Sequence, residues 1–179
     1  DLSESFSQYD TRHRIIGNVS YGLEYGNNFK TTISVVYNGQ SGRRFSYVYS
    51  GDVNRDGLFQ NNDLIYVPED RSEINLTAEN RSSQEVWNDL NNFIEKSDYL
   101  SNRRGQYAER NGAQVPWYNQ FDLRVLQDFY LRDGAGNRHK LQASLDIINV
   151  GNLINNSWGV RKTPSTDAPI QLVEINDNN

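Results

Sequence analysis

The chain has 179 residues, a formal net charge of −5 and no cysteine. The length suits one domain or part of a larger one. The missing cysteines exclude disulfides, thiolate metal sites and cysteine nucleophiles, and an acidic balance without a basic cluster excludes the electrostatic footprint of a nucleic-acid-binding protein. No window approaches the ~18 apolar residues of a membrane-spanning helix. This criterion does not exclude a membrane β-barrel, because its strands alternate apolar and polar residues.

The first predicted element is a long hairpin. From Arg14 to Tyr25 the odd-numbered residues are mainly apolar and the even-numbered ones mainly polar, which is the period of a β-strand. Residues 26–28, Gly-Asn-Asn, tolerate the positive φ of a tight turn, and the alternation resumes from Phe29. The pattern predicts two antiparallel strands over residues 14–37.

A segment of about 80 residues, 38–118, follows as a long connection with structure of its own. A capping box at Ser82–Glu85 and apolar residues at helical spacing predict a helix from Ser83 to Lys96. A shorter helical stretch is predicted near residues 98–104. Two short strands are predicted before these helices, at Ser46–Tyr49 and at Leu64–Val67, the second ended by Pro68.

The connection also contains GDVNRDGLFQNNDL, which has the spacing of a calcium-binding loop. Gly57 would allow the sharp turn, and Gln60 could add an oxygen through water. The sequence that follows is strand-like, so no EF-hand is expected and the role would be to rigidify a loop. A metal-free Asx turn has the same composition and remains the alternative. The candidate Ca²⁺ ligands are Asp52, Asn54, Asp56, the Leu58 carbonyl and Asp63.

A second predicted hairpin spans residues 119–149. Apolar and polar residues alternate from Gln120 to Leu131, with Leu126 and Gln127 as exceptions, and residues 133–137 form a Gly-rich turn. A return strand follows from Lys140 to Ile147. Residues 150–179 are predicted to be another connection or the start of the next strand.

No catalytic constellation is recognisable, so we do not expect an enzyme. His13 and His139 lack a partner at a known catalytic spacing. The acidic residues of the second hairpin fall on polar strand faces, where a solvated or lumen-lining role is expected. The arginines of segments 103–105 and 109–112 are expected to pair with other groups or to contact a ligand. Three tryptophans could anchor a core or stack on a ligand: Trp87, Trp117 and Trp158.

Two all-β architectures are compatible with these patterns. Strands of roughly ten to twelve residues match the ~9–11 that cross a bilayer when tilted, and short turns on one side with long connections on the other are typical of outer-membrane barrels. A water-soluble sandwich alternates as well. Aromatic residues near the strand ends favour the barrel, because they would form interfacial belts: Tyr25, Phe29, Tyr37, Trp117, Tyr118 and Phe129.

Three blocks of the sequence resemble a known family. They are GRRFSYVYSGDVNRDGLFQNNDLIYVP, FIEKSDYLSNRRGQYAERNGAQVPWYNQFDLRVLQDF and LQASLDIINVGNLINNSWG. In this order they resemble the C-terminal barrel region of TonB-dependent outer-membrane receptors, in the Oar-like branch of Bacteroidota. The resemblance covers almost the whole chain, residues 1–179, as part of one barrel domain.

The resemblance implies energy-coupled import of a ligand through a barrel of about 22 strands. It implies outer-membrane lipid, the rest of the barrel, a plug domain and TonB as partners, and it leaves open whether a surface lipoprotein also binds the extracellular loops. It also places the long connections outside a Gram-negative cell. Neither plug nor terminal aromatic strand is identifiable, and the chain starts at Asp1, so we expect a piece of a longer protein. The alternative is a secreted, calcium-stabilised β-sandwich that binds carbohydrate or protein.

Overall fold

The computed structural model describes residues 4–57 and 63–171. About 40% of the described residues are in strands or bridges and 15% in helices, and the paired strands are mainly antiparallel, so the fold is β-rich. None of the helices in these two ranges is both long and apolar enough to cross a membrane. The strands are β1 (Arg14–Tyr25), β2 (Phe29–Gln40), β3 (Arg44–Phe45), β4 (Tyr49–Ser50), β5 (Tyr66–Val67), β6 (Gln106–Tyr107), β7 (Ala113–Gln114), β8 (Tyr118–Arg132), β9 (Arg138–Ile147) and β10 (Ile170–Gln171).

Helices are few and short. They are α1 (Ser83–Glu95) and α2 (Asp98–Ser101), with 3₁₀ turns at Arg71–Glu73 and Val150–Leu153. Both helices lie where the sequence predicts them, although α2 is shorter than expected. The chain divides into two compact units. We call them the sheet unit (Thr11–Gly42 and Pro116–Lys162) and the inserted unit (Asp1–Asp10, Arg43–Val115 and Thr163–Asn179).

The sheet unit is built on one four-stranded antiparallel sheet in the order β1-β2-β8-β9. Phe29 pairs with Phe129, so the β1–β2 turn and the β8–β9 turn lie at the same end of the sheet. At the opposite end Gln40 pairs with Tyr118, where the chain leaves β2 and later re-enters β8. The two predicted hairpins are therefore present, and they pair with each other. In the described ranges, β1 and β9 each keep one edge without a partner strand.

The register separates the sheet into an apolar and a polar face. Pairings such as Val19 with Val35 and Leu123 with Ile147 bring odd-numbered residues together across all four strands. The odd face is largely open: Val19 is 74% exposed and Leu145 57%. The sheet unit thus has an apolar face that no second layer of described residues covers.

The two exceptions to the alternation are explained by local contacts. β8 runs without a bulge, so Leu126 lies on the polar face between Thr32 and Ser144, and Gln127 lies on the apolar face. The Gln127 side-chain oxygen accepts hydrogen bonds from the hydroxyls of Thr31 at 2.5 Å and Tyr25 at 2.9 Å. A polar group that is partly shielded from water needs such partners. Gln127 is tolerated there because its neighbours satisfy it.

The inserted unit has a core of its own. Ile65, Val67 and Leu100 are at most 1% exposed, and they cluster with residues of α1 such as Ile94. α1 presents Leu90 and Ile94 to this cluster, four residues apart on one helical face. The helix begins at a complete capping box, as predicted: the Ser82 hydroxyl accepts from the Glu85 N–H, and the Glu85 carboxylate accepts from the Ser82 N–H.

A buried arginine ties the N-terminal residues to the rest of the inserted unit. The Arg44 side chain is only 5% exposed; its Nε donates to Asp10 at 2.8 Å, and its Nη1 donates to the carbonyls of Asn111 and Gly112. The guanidinium also lies 3.7 Å from the centre of the Phe6 ring. A buried charge requires this degree of pairing. The sequence contains no local signal for it, since its partners come from distant segments.

Candidate functional site

The calcium-like loop adopts a turn held by side-chain oxygens. Asp52 accepts from the backbone N–H of Asp56 at 3.1 Å and of Gly57 at 2.9 Å. Asn54 Oδ1 accepts from the same Asp56 N–H at 3.0 Å, and its Nδ2 donates to the Asp56 carboxylate. Arg55 and Gly57 have φ of 58° and 87°, the left-handed conformation that wraps the chain sharply and that suits Gly57. Asp52, Asn54 and Asp56 are thereby brought together.

Asp63 closes the loop from its far end. Its Oδ2 accepts from the backbone N–H of Val53 at 2.6 Å and of Asn54 at 3.2 Å. The Asp63 carbonyl accepts from the Tyr49 N–H, so this residue joins the loop to β4. Four of the five predicted ligand residues therefore surround one turn. The fifth, Leu58, and the accessory Gln60 lie outside the described residues.

The side chains of this loop offer the kind of oxygen ligands that a hard divalent cation binds. Carboxylate and amide oxygens are the groups that Ca²⁺ prefers. In the ranges 4–57 and 63–171, no three Asp, Glu or His side chains form a group that could hold a metal ion. A calcium site here would therefore depend on the Asn54 amide and on the Leu58 carbonyl as well as on the carboxylates.

The polar face of the sheet carries a set of cross-strand charge pairs. Asp128 lies 3.0 Å from Lys140 and accepts from Gln142 at 2.6 Å. The Arg124 Nε donates to Asp146 at 2.5 Å. Opposite charges placed across neighbouring strands stabilise the register. Lys30 and Glu24 add a third pair at 3.1 Å, between β2 and β1.

Aromatic residues cluster at both ends of the apolar face. At the turn end the Phe29 ring stacks on Tyr25 at 5.7 Å and meets Phe129 edge-on at 5.9 Å. At the other end Tyr37 packs on Phe121 at 4.9 Å between ring centres. The prediction was wrong for Tyr118: its even number puts it on the polar face, where its hydroxyl donates to Gln120 at 2.5 Å.

A glycine makes room for the aromatic cluster at the far end. Tyr37 lies along its own strand, so that a Cβ on Gly39 would come within 2.2 Å of the Tyr37 hydroxyl and 3.0 Å of Trp117. The Tyr37 hydroxyl donates to Asn119 at 2.7 Å, and the Trp117 indole N–H donates to the same oxygen at 3.0 Å. Two aromatic side chains are thus fixed on one amide, with their polar ends together.

Two of the remaining candidate residues of the sheet unit, Asp122 and His139, have partners for their side chains. Asp122 accepts from the Asn149 N–H at 2.7 Å, beside the 3₁₀ turn that follows β9. His139 lies 3.2 Å from Asp133 and is largely exposed; His13 is exposed too, and its backbone N–H donates to the Ser41 hydroxyl. Trp158 is 47% exposed.

In the inserted unit the arginines of segment 103–105 act as pairing groups, as one of the two interpretations predicts. Arg103 pairs with Glu109. Arg104 donates to the Pro68 carbonyl at 3.1 Å and to Asn91 at 2.6 Å. Trp87 packs against the core.

The chain was also compared with protein-family models, with curated proteins and with solved structures, and none of the three comparisons gave a match.

Proposed function

We propose that the chain is the C-terminal wall portion of a TonB-dependent outer-membrane receptor that imports a ligand. The observation that carries the proposal is the two-faced sheet: a mainly apolar, largely exposed face opposite a face of paired charges. A barrel wall needs this combination, because one face meets lipid and the other a polar interior. A soluble sandwich would instead bury the apolar face under a second sheet.

The dimensions of the apolar face are compatible with a bilayer. Eight residues separate Phe29 from Tyr37, which is about 27 Å along an antiparallel strand. A strand tilt of about 40° reduces the height to about 20 Å, close to the ~25 Å apolar band of membrane barrels. The aromatic clusters at both ends would then lie in the interfacial regions, where such rings are enriched.

The connectivity agrees with this orientation. Both short turns lie at one end of the sheet, and the chain leaves for the inserted unit at the other. Barrels of this class have short periplasmic turns and long extracellular loops. The inserted unit would therefore be extracellular. The open edges of β1 and β9 would pair with other strands of the barrel, and TonB would act through parts of the receptor outside this chain.

The test is a pair of single-cysteine variants. Because the sequence has no cysteine, the introduced thiol is the only one that the label can modify. Val125→Cys and Leu126→Cys place a thiol on opposite faces of β8 at adjacent positions. After reconstitution in vesicles and spin labelling, we expect a label at position 125 to collide with lipid-soluble oxygen and a label at position 126 with a water-soluble nickel chelate. If the label at 125 is inaccessible to both reagents, it lies in a protein core, and the β-sandwich alternative is favoured.

The calcium-like loop would serve this receptor as a structural element of the extracellular surface. Asp52, Asn54, Asp56, Asp63 and the Leu58 carbonyl would hold the ion, which would cross-link the two ends of the loop. Calorimetric titration of the chain with Ca²⁺ should give saturable heat that Asp56→Ala abolishes. The far-UV circular dichroism of that variant is the control for folding. Absence of heat from the unmodified chain would leave the metal-free Asx turn as the correct interpretation.

A further inference from the structure

The inserted unit contains a cleft of about 890 Å³. Ligand-binding clefts usually measure ~300–1,000 Å³. Three walls form most of its lining: the segment Ile74–Ala78, the residues that lead into β10, and one face of α1. Tyr49 and Val53 also line it.

The first wall is an extended segment without a partner strand. Ile74 has φ −139° and ψ 133°, and the side chains alternate: Ile74 and Leu76 are half-buried against the core, whereas Asn75 and Thr77 are exposed. In the parts of the chain that the structure describes, the backbone of Ile74–Thr77 belongs to no sheet and makes no hydrogen bond. Unpaired strand backbone is a template for pairing with another chain.

The second wall offers another open strand. β10 pairs with β4 through Ile170–Tyr49 and Gln171–Ser50, in parallel. No other described strand adjoins β10, and residues 169–171 line the cleft. The cleft therefore has extended backbone with unused hydrogen-bonding capacity on two of its sides.

The third wall supplies an apolar surface and a charged rim. Val86, Leu90 and Phe93 of α1 face the cleft. At its rim Arg81 and Asp89 lie 2.6 Å apart, with side chains 44% and 66% exposed. A pair so exposed contributes only ~0–1 kcal/mol, so both charges can exchange partners at little cost. A ligand with one anionic and one cationic group would match them.

We propose that this cleft binds a free peptide in extended conformation, with apolar side chains on alternate residues and one charge of each sign between them. Its backbone pairs with Ile74–Thr77 and β10, its apolar side chains contact α1, and its charges contact Arg81 and Asp89. This is strand addition, in which backbone hydrogen bonds give affinity and side-chain pockets give specificity. The inference rests on the proposed function only in assigning the peptide as the ligand that the receptor captures.

The test uses the full chain in detergent micelles and a fluorescein-labelled hexapeptide that alternates valine with polar residues, including one lysine and one glutamate. Binding is followed by fluorescence anisotropy. We expect saturable binding, and no binding of the same peptide when its valine nitrogens are methylated, since methylation removes the backbone donors. Equal binding of both peptides would overturn the pairing mechanism.

Two pairs of variants locate the site. Val86→Trp fills the cleft from α1, whereas Asn88→Trp adds the same bulk at an exposed position of that helix outside the cleft lining. Asn75→Pro removes a backbone donor from the extended segment, whereas Asn75→Ala keeps it. We expect binding to weaken at least about tenfold for Val86→Trp and Asn75→Pro, which corresponds to ~1.4 kcal/mol, and to stay unchanged for both controls. Unchanged affinity in Val86→Trp would refute the site.

Other occupants have distinct signatures. If the peptide binds only to a chain shortened to end at Gln171, the occupant of the cleft is the chain's own C-terminal segment. If the chain forms dimers that the peptide dissociates, the occupant is a second copy of the chain. Either result overturns the proposal. Peptide binding and membrane embedding are measured separately. If the spin labels are inaccessible to lipid but the peptide binds, only the receptor proposal is refuted. If a label reaches lipid but the peptide does not bind, only the peptide proposal is refuted.

Discussion

The two units of the chain use apolar residues in opposite ways. The inserted unit has short strands and two helices, yet it buries Ile65, Val67 and Leu100 almost completely. The sheet unit has the longest strands of the chain, yet Val19 and Leu145 remain more than half exposed. Alternation in a sequence therefore defines a face, and only the three-dimensional contacts tell whether protein covers it. Under the proposed function, lipid would cover this face.

The largest expected effect tests whether buried apolar residues of the inserted unit contribute more to the free energy of unfolding than exposed apolar residues of the sheet unit. Leu100→Ala should cost about 2–5 kcal/mol, because it removes a fully buried side chain and leaves a cavity. Leu145→Ala removes the same atoms from an exposed position and should cost about 1 kcal/mol or less. Chemical denaturation in detergent measures both variants. Equal losses would mean that the apolar face of the sheet is a protein core.

The second prediction sharpens the contrast within one strand. In lipid vesicles Val125→Arg should destabilise the sheet by about 2–4 kcal/mol, because it places a charge on the proposed lipid face. Leu126→Arg changes the neighbouring residue on the polar face, next to Thr32 and Ser144, and should cost much less. Tryptophan fluorescence during urea titration is the readout. A larger loss at position 126 would reverse our assignment of the faces.

A third, smaller effect concerns the inserted unit alone. Ser82→Ala removes the hydroxyl that caps α1 and should cost about 1 kcal/mol. Ser83→Ala, one residue further into the helix, is the matched control and should change little. Thermal unfolding followed at 222 nm compares the two. If the variants are equally stable, the cap contributes nothing measurable to the unit.

The smallest expected effect is a pH dependence from the same cap. Hydrogen bonds from the Ser82 backbone and side chain lower the pKa of Glu85 below its ordinary 4.5. The stabilisation is therefore complete above pH 4.5 and is lost as the pH falls through the lower folded-state pKa. Glu85→Gln keeps a capping side chain but should lose this pH dependence. Unfolding at a series of pH values between 3 and 6 would show it, and identical profiles for both proteins would argue against it.

Much of the fold follows from local sequence signals. The alternation in Arg14–Tyr25 and the capping box at Ser82 report local geometry, so the four long strands and α1 lie where they were expected. The short strands predicted at Ser46–Tyr49 and Leu64–Val67 are only partly formed: β4 begins at Tyr49, β5 begins at Tyr66, and Val48 and Leu64 form an isolated bridge. The pairing of β2 with β8 and the burial of Arg44 depend on residues far apart in the chain, and no local pattern encodes them. The face of Tyr118, by contrast, follows from its even number in the local alternation, so the wrong prediction for this residue did not come from missing long-range information.

For the candidate site, the sequence predicted the residue types but not their hydrogen bonds. The spacing identifies Asp52, Asn54 and Asp56 as neighbours, and the structure joins them through backbone N–H groups. The cleft was not foreseen, because its walls come from separated segments and one wall, Ile74–Thr77, is too short to show a period. Its partial signal is the alternation of Ile74 and Leu76 with polar residues.

The junction between the two units has a consequence for how such chains diversify. Gln40 and Tyr118 are paired neighbours in the sheet, and Arg43 is hydrogen-bonded to Val115 in the inserted unit. The entry and exit of the insert thus start from adjacent residues on both sides, so a short turn could join β2 directly to β8. Replacing residues 43–115 with another insert would keep the β2–β8 register, but it would also remove the partners of Asp10 and of β10, so those two segments would have to change together with the insert.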